Sequence, residues 1–317
     1  MRTIKLAYPH TLILDELPET AAAIGFFDGI HKGHQKVIRT AVNEAKSRNM
    51  ESAVITFHPH PSVVLKKDIQ HVQYITPLRE KQEILQQLGV DRLYIITFNK
   101  ELSSLEPQTF IDHFIINLNI KFLVAGFDYT YGHKGKGNMQ VIHEHSRRLF
   151  DVTVIDKVQS GDLKISSTRI RELLKSGQIG EANELLGRPL VIRGIVKEGD
   201  KRGREIGYPT ANLEIDSDAL LPKIGVYAVK VRFKNEVYEG MASLGYNPTF
   251  TLDRDEPIIE VNIFDYNNDL YGEELVLEWH QYMREEIKFN SAEKLIEQIE
   301  KDEEQIRNYF GSVCNGH

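Results

Sequence analysis

In GFFDGIHKGHQKV, which begins at Gly25, His31 and His34 stand three residues apart with Gly33 between them. An apolar run precedes the segment and a helical pattern follows it, so these residues fall where a helix begins. Unpaired N–H groups and the positive end of a helix dipole make such a turn a place for phosphate, and Gly33 lets backbone approach the ligand closely. Both imidazoles could reach one phosphate across the first turn and stabilise charge developing on phosphorus. A surface turn with two solvent-exposed histidines has the same spacing, and the motif alone leaves both readings open.

Other stretches carry residue types suited to ligands. VAGFDYTYGHKGKGN, Val124 to Asn138, joins aromatics to Asp128 and a Gly/Lys loop. An aromatic-lined cleft suits a planar ring system, with Asp128 at its polar edge; a flexible surface loop is the competing reading. HPHP, His58 to Pro61, offers two imidazoles, but the prolines restrict the backbone and no third ligand is defined, which disfavours a zinc site. In the second half, KEGDKRGREIGYPTANL, Lys197 to Leu213, could cradle phosphates through backbone N–H groups, and a tight hairpin explains its glycines equally well. Thr210 and Asn212 at its end offer hard oxygen ligands suited to Mg²⁺ shared with a nucleotide. Alternation along IIEVNIF puts Ile258, Glu260 and Asn262 on one face and Ile259, Val261 and Ile263 on the other. The Glu260 carboxylate thus points away from the more apolar side, as an ordinary exposed strand acid would too.

The elements that must position these groups change character along the chain. In the first half, strand-like runs from Ala21, Ser52, Arg92, Lys121 and Val152 alternate with helical patterns, including one after Thr76 with Pro77 at its first position and Gly89 at its end. Further helical patterns cover Pro107 to Leu118 and Met139 to Arg148. Five strands separated by helices predict a parallel, doubly wound α/β sheet with ligands at the carboxyl ends of its strands. A short helix from Gln178 to Leu186 ends at Gly187. After it come the strand-like runs LVIRGIV, GVYAVKVRF, VYEGMASLG, IIEVNIFDY and ELVLEWHQYM, which predict a small antiparallel β-barrel. Leu295, Ile299, Ile306 and Phe310 mark one face of a terminal helix whose charge run reads as solvated surface. The expected domains are 1–183 and 184–317.

The chain has 317 residues, 41% hydrophobic and 27% charged, with a formal net charge of -7. This composition is that of a soluble globular protein large enough for two cores. The negative balance disfavours a nucleic-acid partner but leaves small phosphorylated ligands open. Cys314 is the sole cysteine, so no internal disulfide forms and a reducing cytoplasm is expected. The first residues lack the apolar run of a signal peptide, and no stretch approaches the length of a membrane span.

HKGH after a first strand resembles the HxGH signature of the nucleotidyltransferase superfamily, and ISSTRIR, Ile165 to Arg171, resembles its ISSTxxR. PTAN, GVYAV, SLGYNPTF, IIEVNIFDYNNDLYG and MREEIKF resemble the riboflavin kinase family in unbroken order. Nearly the whole chain is thus similar to the prokaryotic bifunctional riboflavin kinase/FAD synthetase family. The resemblance implies a Rossmann-like adenylylating domain followed by a riboflavin-kinase barrel, with riboflavin, FMN and ATP as substrates and Mg²⁺ as cofactor. It assigns Gly25, Phe27, His31, Gly33, His34, Ser167, Thr168 and Arg171 to ATP in the adenylylation site, with Asp128 near substrate. It assigns Gly203, Thr210 and Asn212 to Mg-ATP in the kinase site, Glu260 as base for the riboflavin hydroxyl, and Arg284 near flavin or nucleotide. Ser243 stands where that family usually has Asn, and lacks the amide pair. A single-activity relative and a flavin-binding regulator without turnover are the alternatives. No GxGxxG follows the first strand, which disfavours a dinucleotide-binding dehydrogenase.

Overall fold

A computed structural model describes residues 1–66, 68–198, 207–246 and 257–314, and divides into two compact units, Met1–Ser167 and Thr168–His317. In chain order the first contains β1 (Arg2–Leu6), β2 (Thr20–Ile24), α1 (Lys32–Ser47), β3 (Glu51–His58), α2 (Pro61–Leu65), α3 (Leu78–Gln87), β4 (Arg92–Thr97) and α4 (Lys100–Ser103). There follow α5 (Pro107–Ile111), β5 (Ile120–Gly126), the hairpin β6 (Thr130–Tyr131) and β7 (Gly137–Asn138), α6 (Ile142–Ser146), β8 (Asp151–Ile155) and the hairpin β9 (Gln159–Ser160) and β10 (Leu163–Lys164).

Six parallel strands form the sheet in the order β1-β4-β3-β2-β5-β8. The strands read from apolar runs are β2, β3, β4, β5 and β8. The additional β1 is an edge strand in which only Leu6 is buried, so no apolar run announces it. Central β2 is buried along its whole length, with Ala21, Ala22 and Ala23 fully inaccessible, as a strand covered on both faces must be. On one face α1 buries Val37, Ile38, Ala41, Val42 and Ala45. The order reverses between β2 and β5, and the turns after both strands leave the same carboxyl edge. That edge is the topological switch point, where open α/β sheets bind ligands.

Some helices depart from the sequence pattern. Pro77 caps α3 rather than opening it, since its ψ of 165° is not helical, and the Thr76 N–H before it is taken by Asp28 Oδ1 at 3.1 Å. The pattern from Pro107 becomes α5 followed by a π-helical turn, Asp112–Ile116. That from Met139 shrinks to α6, since Asn138 Oδ1 accepts the N–H groups of Gln140 and Val141 before it, and Arg147 and Arg148 take positive φ after it.

α7 (Ser167–Ser176), whose first residue closes the first unit, and α8 (Ile179–Leu186) lead into the barrel. Gly187 ends α8 with φ +72°, a left-handed cap that glycine adopts without steric cost. The barrel strands are β11 (Leu190–Lys197), β12 (Ala211–Ile215), β13 (Gly225–Phe233), β14 (Glu236–Gly245), β15 (Ile258–Ile263) and β16 (Glu274–Arg284). Antiparallel pairing in the order β11-β12-β15-β14-β13-β16 closes when β16 meets β11. β12 is the strand that the sequence reading left inside the glycine-rich loop.

The terminal α9 (Ala292–Cys314) buries Ile306 and Phe310 against Val226, Ala228, Met241 and Phe264. Each such side chain contributes roughly 1.5–3 kcal/mol. Its charge run is not wholly a solvated face: Asp302 is 1% exposed and held by Arg284.

Candidate active sites

In the first unit the β2–α1 turn places the expected phosphate-binding residues together. His31 is the N-cap of α1, and its Nδ1 accepts the His34 N–H at 3.2 Å. A neutral His31 therefore carries its proton on Nε2. The His34 ring stacks on His31 with centroids 3.6 Å apart and meets the edge of Phe27 at 5.3 Å. His34 is partly exposed, but its Nδ1 is buried without a hydrogen-bond partner among the described residues. Burial, then the nearby His31, Lys81 and Lys164, holds its pKa well below the usual imidazole value, so His34 is neutral at physiological pH. The two histidines are thus packed rather than solvent-facing.

The glycines of the motif have steric reasons. A Cβ on Gly33 would lie 3.1 Å from the His31 ring, and one on Gly25 would lie 2.9 Å from the Phe27 ring. Phe27 itself is buried with φ +52°. Ser167 Oγ donates to the Asp28 carbonyl at 2.8 Å, which brings the start of ISSTRIR to the same turn. Thr168 and Arg171 follow as the second and fifth residues of α7 and belong to the second unit. Asp128 is exposed beyond β5, and its carboxylate is paired with Lys164 of β10 at 2.5 Å. The Lys164 ammonium also lies 4.7 Å from the centroid of the Phe127 ring.

HPHP has a structural use. His60 caps α2 by accepting the Ser62 N–H at 3.1 Å, and its ring meets Phe26 edge-on at 4.5 Å. Sequence reasoning missed a buried polar group beneath the turn, made of Asp28, Thr56, Thr76 and Lys81. Lys81 sits in the amphipathic pattern of α3, where a lysine reads as surface; nothing local signals its burial.

On the barrel, Asn212 of β12 pairs with Glu260 of β15, and Glu260 pairs with Ser243 of β14. Cross-strand partners project from one face, so these three side chains form a polar row across three strands. All three are half-buried. Asn262, on the same alternation, is instead buried because its Nδ2 donates to the Pro209 carbonyl at 2.8 Å, tying the segment before Thr210 to β15. Thr210 is exposed and lines a cavity of about 440 Å³ with Val196, Ala211, Val261, Tyr266 and Asp269. Gly203 lies outside the described residues.

Arg284 ends β16 with its guanidinium facing Asp302. Nε reaches both carboxylate oxygens at 3.0 and 2.9 Å, Nη2 reaches one at 2.6 Å, and Nη1 donates to the Glu285 carbonyl.

Residues 14–169 match the FAD synthetase family and residues 186–310 the riboflavin kinase family. Over 314 residues the chain is 46% identical to the bifunctional riboflavin kinase/FMN adenylyltransferase of Bacillus subtilis (strain 168), covering 99% of both chains. It is 47% identical over 315 residues to the protein of the same description from Listeria monocytogenes, again covering 99% of each. A crystal structure described as a macrolide-efflux protein from Streptococcus pneumoniae matches at TM-score 0.88 and 37% identity, covering 97% of this chain and 99% of that one. The parallel sheet with its histidine-capped turn at the switch point lies within the stretch matching the first family, and the closed barrel with its acid–amide row within the stretch matching the second, as in a transferase of two domains. The chain belongs to the bifunctional riboflavin kinase/FMN adenylyltransferase family, and with it to the enzymes that phosphorylate riboflavin and adenylylate FMN. Both halves have their own family counterpart. Among the described residues, no helix is long and apolar enough to cross a membrane.

Proposed function

We propose that the two activities are divided between the units, the first transferring the adenylyl group of ATP to FMN and the second the terminal phosphoryl group of ATP to riboflavin. The observation that carries this division is the row Asn212–Glu260–Ser243 on the barrel. Riboflavin attacks through a neutral alcohol that must lose a proton as phosphoryl transfer proceeds, and Glu260 is the carboxylate for it. FMN attacks through a phosphate that is already anionic. Its site needs positioning and charge stabilisation more than a base, which suits the His31 Nε2–H, neutral His34 and the start of α1.

The roles follow residue by residue. Gly25, Phe27, His31, Gly33, His34 and Ser167, with Thr168 and Arg171 on α7, serve ATP for adenylylation, and Asp128 borders the substrate. Thr210 and Asn212 serve the second ATP, and Arg284 lies near its flavin or nucleotide. Mg²⁺ fits Thr210 and Asn212, because this ion takes one or two protein oxygens and completes its shell with phosphates and water. When bound it would neutralise charge on the phosphates. A cytoplasmic setting is supported by the single cysteine.

Supplying riboflavin, ATP and Mg²⁺, or FMN in place of riboflavin, and separating the flavins tests the division. E260Q is expected to lose FMN formation and keep FAD formation from added FMN, and H34A the reverse. Equal loss of both activities in folded variants would overturn it.

A further inference from the structure

Lys81 is a lysine only 4% exposed whose ammonium is bonded to a carbonyl: Nζ donates to Phe26 O at 2.8 Å. Fully buried Thr56 donates its Oγ1 to the same oxygen at 2.9 Å and lies 3.5 Å from Lys81 Nζ. Burial pulls the Lys81 pKa down to about 8, opposed by the nearby Asp28 carboxylate. Burying an ammonium is costly, and an apolar side chain of the same length would fill this space without that cost.

The Phe26–Phe27 peptide, whose carbonyl is doubly held, is trans. In a trans peptide the N–H points opposite to the C=O, so the clamp turns the Phe27 N–H away from Lys81 and Thr56. Among the described residues that N–H has no hydrogen-bond acceptor, although Phe27 is only 3% exposed. Orphaned backbone donors in buried residues are rare and call for a partner. Phe27 also sits at φ +52°, a region that bulky residues enter only when the surroundings hold them there, and its ring touches His34. The oriented donor therefore belongs to the turn that carries His31 and His34.

We propose that Lys81 is a positioning residue for adenylyl transfer, fixing the Phe26–Phe27 peptide with Thr56 so that the Phe27 N–H is presented to the nucleotide phosphates. This rests on the first unit being the adenylylating one. In the step itself, an FMN phosphate oxygen forms a bond to the α-phosphorus of ATP, and the bond from that phosphorus to the bridging oxygen breaks. The electron pair leaves on pyrophosphate. Lys81 takes no proton; it keeps a fixed donor aimed at an oxygen that gains charge.

The test compares wild type, K81M and T56V in FAD synthesis from FMN and Mg-ATP, with FMN synthesis from riboflavin as the control for folding. For K81M, kcat for FAD is expected to fall about 10- to 100-fold while KM for ATP and FMN stays within about threefold, and T56V should show a smaller fall in kcat. In ¹⁵N-phenylalanine-labelled protein, the Phe27 amide, identified by its loss in F27L, should move when a non-hydrolysable ATP analogue binds wild type and move less in K81M. Near-normal kcat in K81M, or a Phe27 amide of wild type that ignores nucleotide, overturns the proposal. Should K81M fail to fold, the wild-type amide and the T56V kinetics decide in the same way. A wild type that makes no FAD defeats the underlying assignment instead, and the amide response to nucleotide still judges the clamp.

Discussion

Asn212 stands directly across the β12–β15 ladder from Glu260. Paired residues on antiparallel strands hold their Cβ atoms about 4.5–5.5 Å apart, so the Asn212 and Glu260 side chains leave the sheet on one face. On the roles proposed above, that pairing sets the Mg-ATP ligand Asn212 beside the base Glu260, the arrangement an alcohol needs when it attacks a bound nucleotide.

Glu260→Gln keeps the shape of the side chain and much of its hydrogen bonding but cannot accept a proton at neutral pH. Kinase turnover at saturating riboflavin and Mg-ATP is expected to fall by about 10²-fold or more, the usual scale for a general base. FAD synthesis from added FMN, measured on the same preparation, should be unchanged. Near-normal turnover where chemistry limits the rate would remove Glu260 from the role of base.

Arg284 tests whether a residue assigned by resemblance to the ligand serves the fold as well. Asp302 is 1% exposed and receives Arg284 through Nε and Nη2 and Gln298 through Nε2. Arg284→Met alone leaves a buried carboxylate without its cation and should cost about 3–5 kcal/mol in denaturant unfolding, whereas adding Asp302→Leu should restore most of it. If Arg284 also serves flavin or nucleotide, the restored double variant will still show a raised KM in the kinase assay. A normal KM would confine Arg284 to pinning α9.

The contrast between these residues says what the sequence makes legible. HKGH and the Glu260 strand were readable because the chemistry is local: a helix start and a two-residue alternation. Strands β2 through β5 were readable from short, nearly continuous apolar runs, and most of the barrel from strand-like runs in which apolar and polar residues alternate. What stayed hidden depends on distant partners. The edge strand β1 hydrogen-bonds to β4 with little apolar content, β12 is defined by its pairing with β15, and Asp302 and Lys81 look like surface charges until the elements that bury them are in place.

His280, beneath the terminal helix, gives a pH dependence with a definite sign. Its ring meets Phe310 edge-on at 5.3 Å, and burial, then the nearby Lys230, pulls its pKa down to about 4. Between pH 6.5 and 4 the unfolded chain takes up a proton that the folded chain refuses, so stability falls as pH drops through this window. From pH 7 to pH 5 this residue should cost about 2 kcal/mol. His280→Gln removes the titration, and its loss of stability over the same range should be smaller than that of wild type by about that amount. Parallel stability curves for the two proteins would rule out a buried neutral His280.

The last expectation concerns where the kinase unit begins. The sequence texture places its start at residue 184, while the compact second unit begins at Thr168 and includes α7 and α8. Asn183 explains why the difference matters: its Nδ2 donates to the Trp279 carbonyl at 2.8 Å, and its Oδ1 accepts the Leu190 N–H at 2.8 Å, fastening α8 to both β16 and β11 at the seam where the barrel closes. Upstream, the Leu174 carbonyl accepts the Lys223 N–H at 2.9 Å, and Leu185 and Leu186 of α8 are buried. A fragment of residues 168–317 keeps these contacts; one of residues 185–317 loses Asn183 and leaves two backbone groups of the seam without their partners, at roughly 1–3 kcal/mol each. Both fragments are expected to form FMN, and the longer one should unfold at a higher temperature and denaturant midpoint. Equal midpoints would show that α7 and α8 add nothing to the barrel, and an unfolded longer fragment would show that the barrel does not stand on its own core.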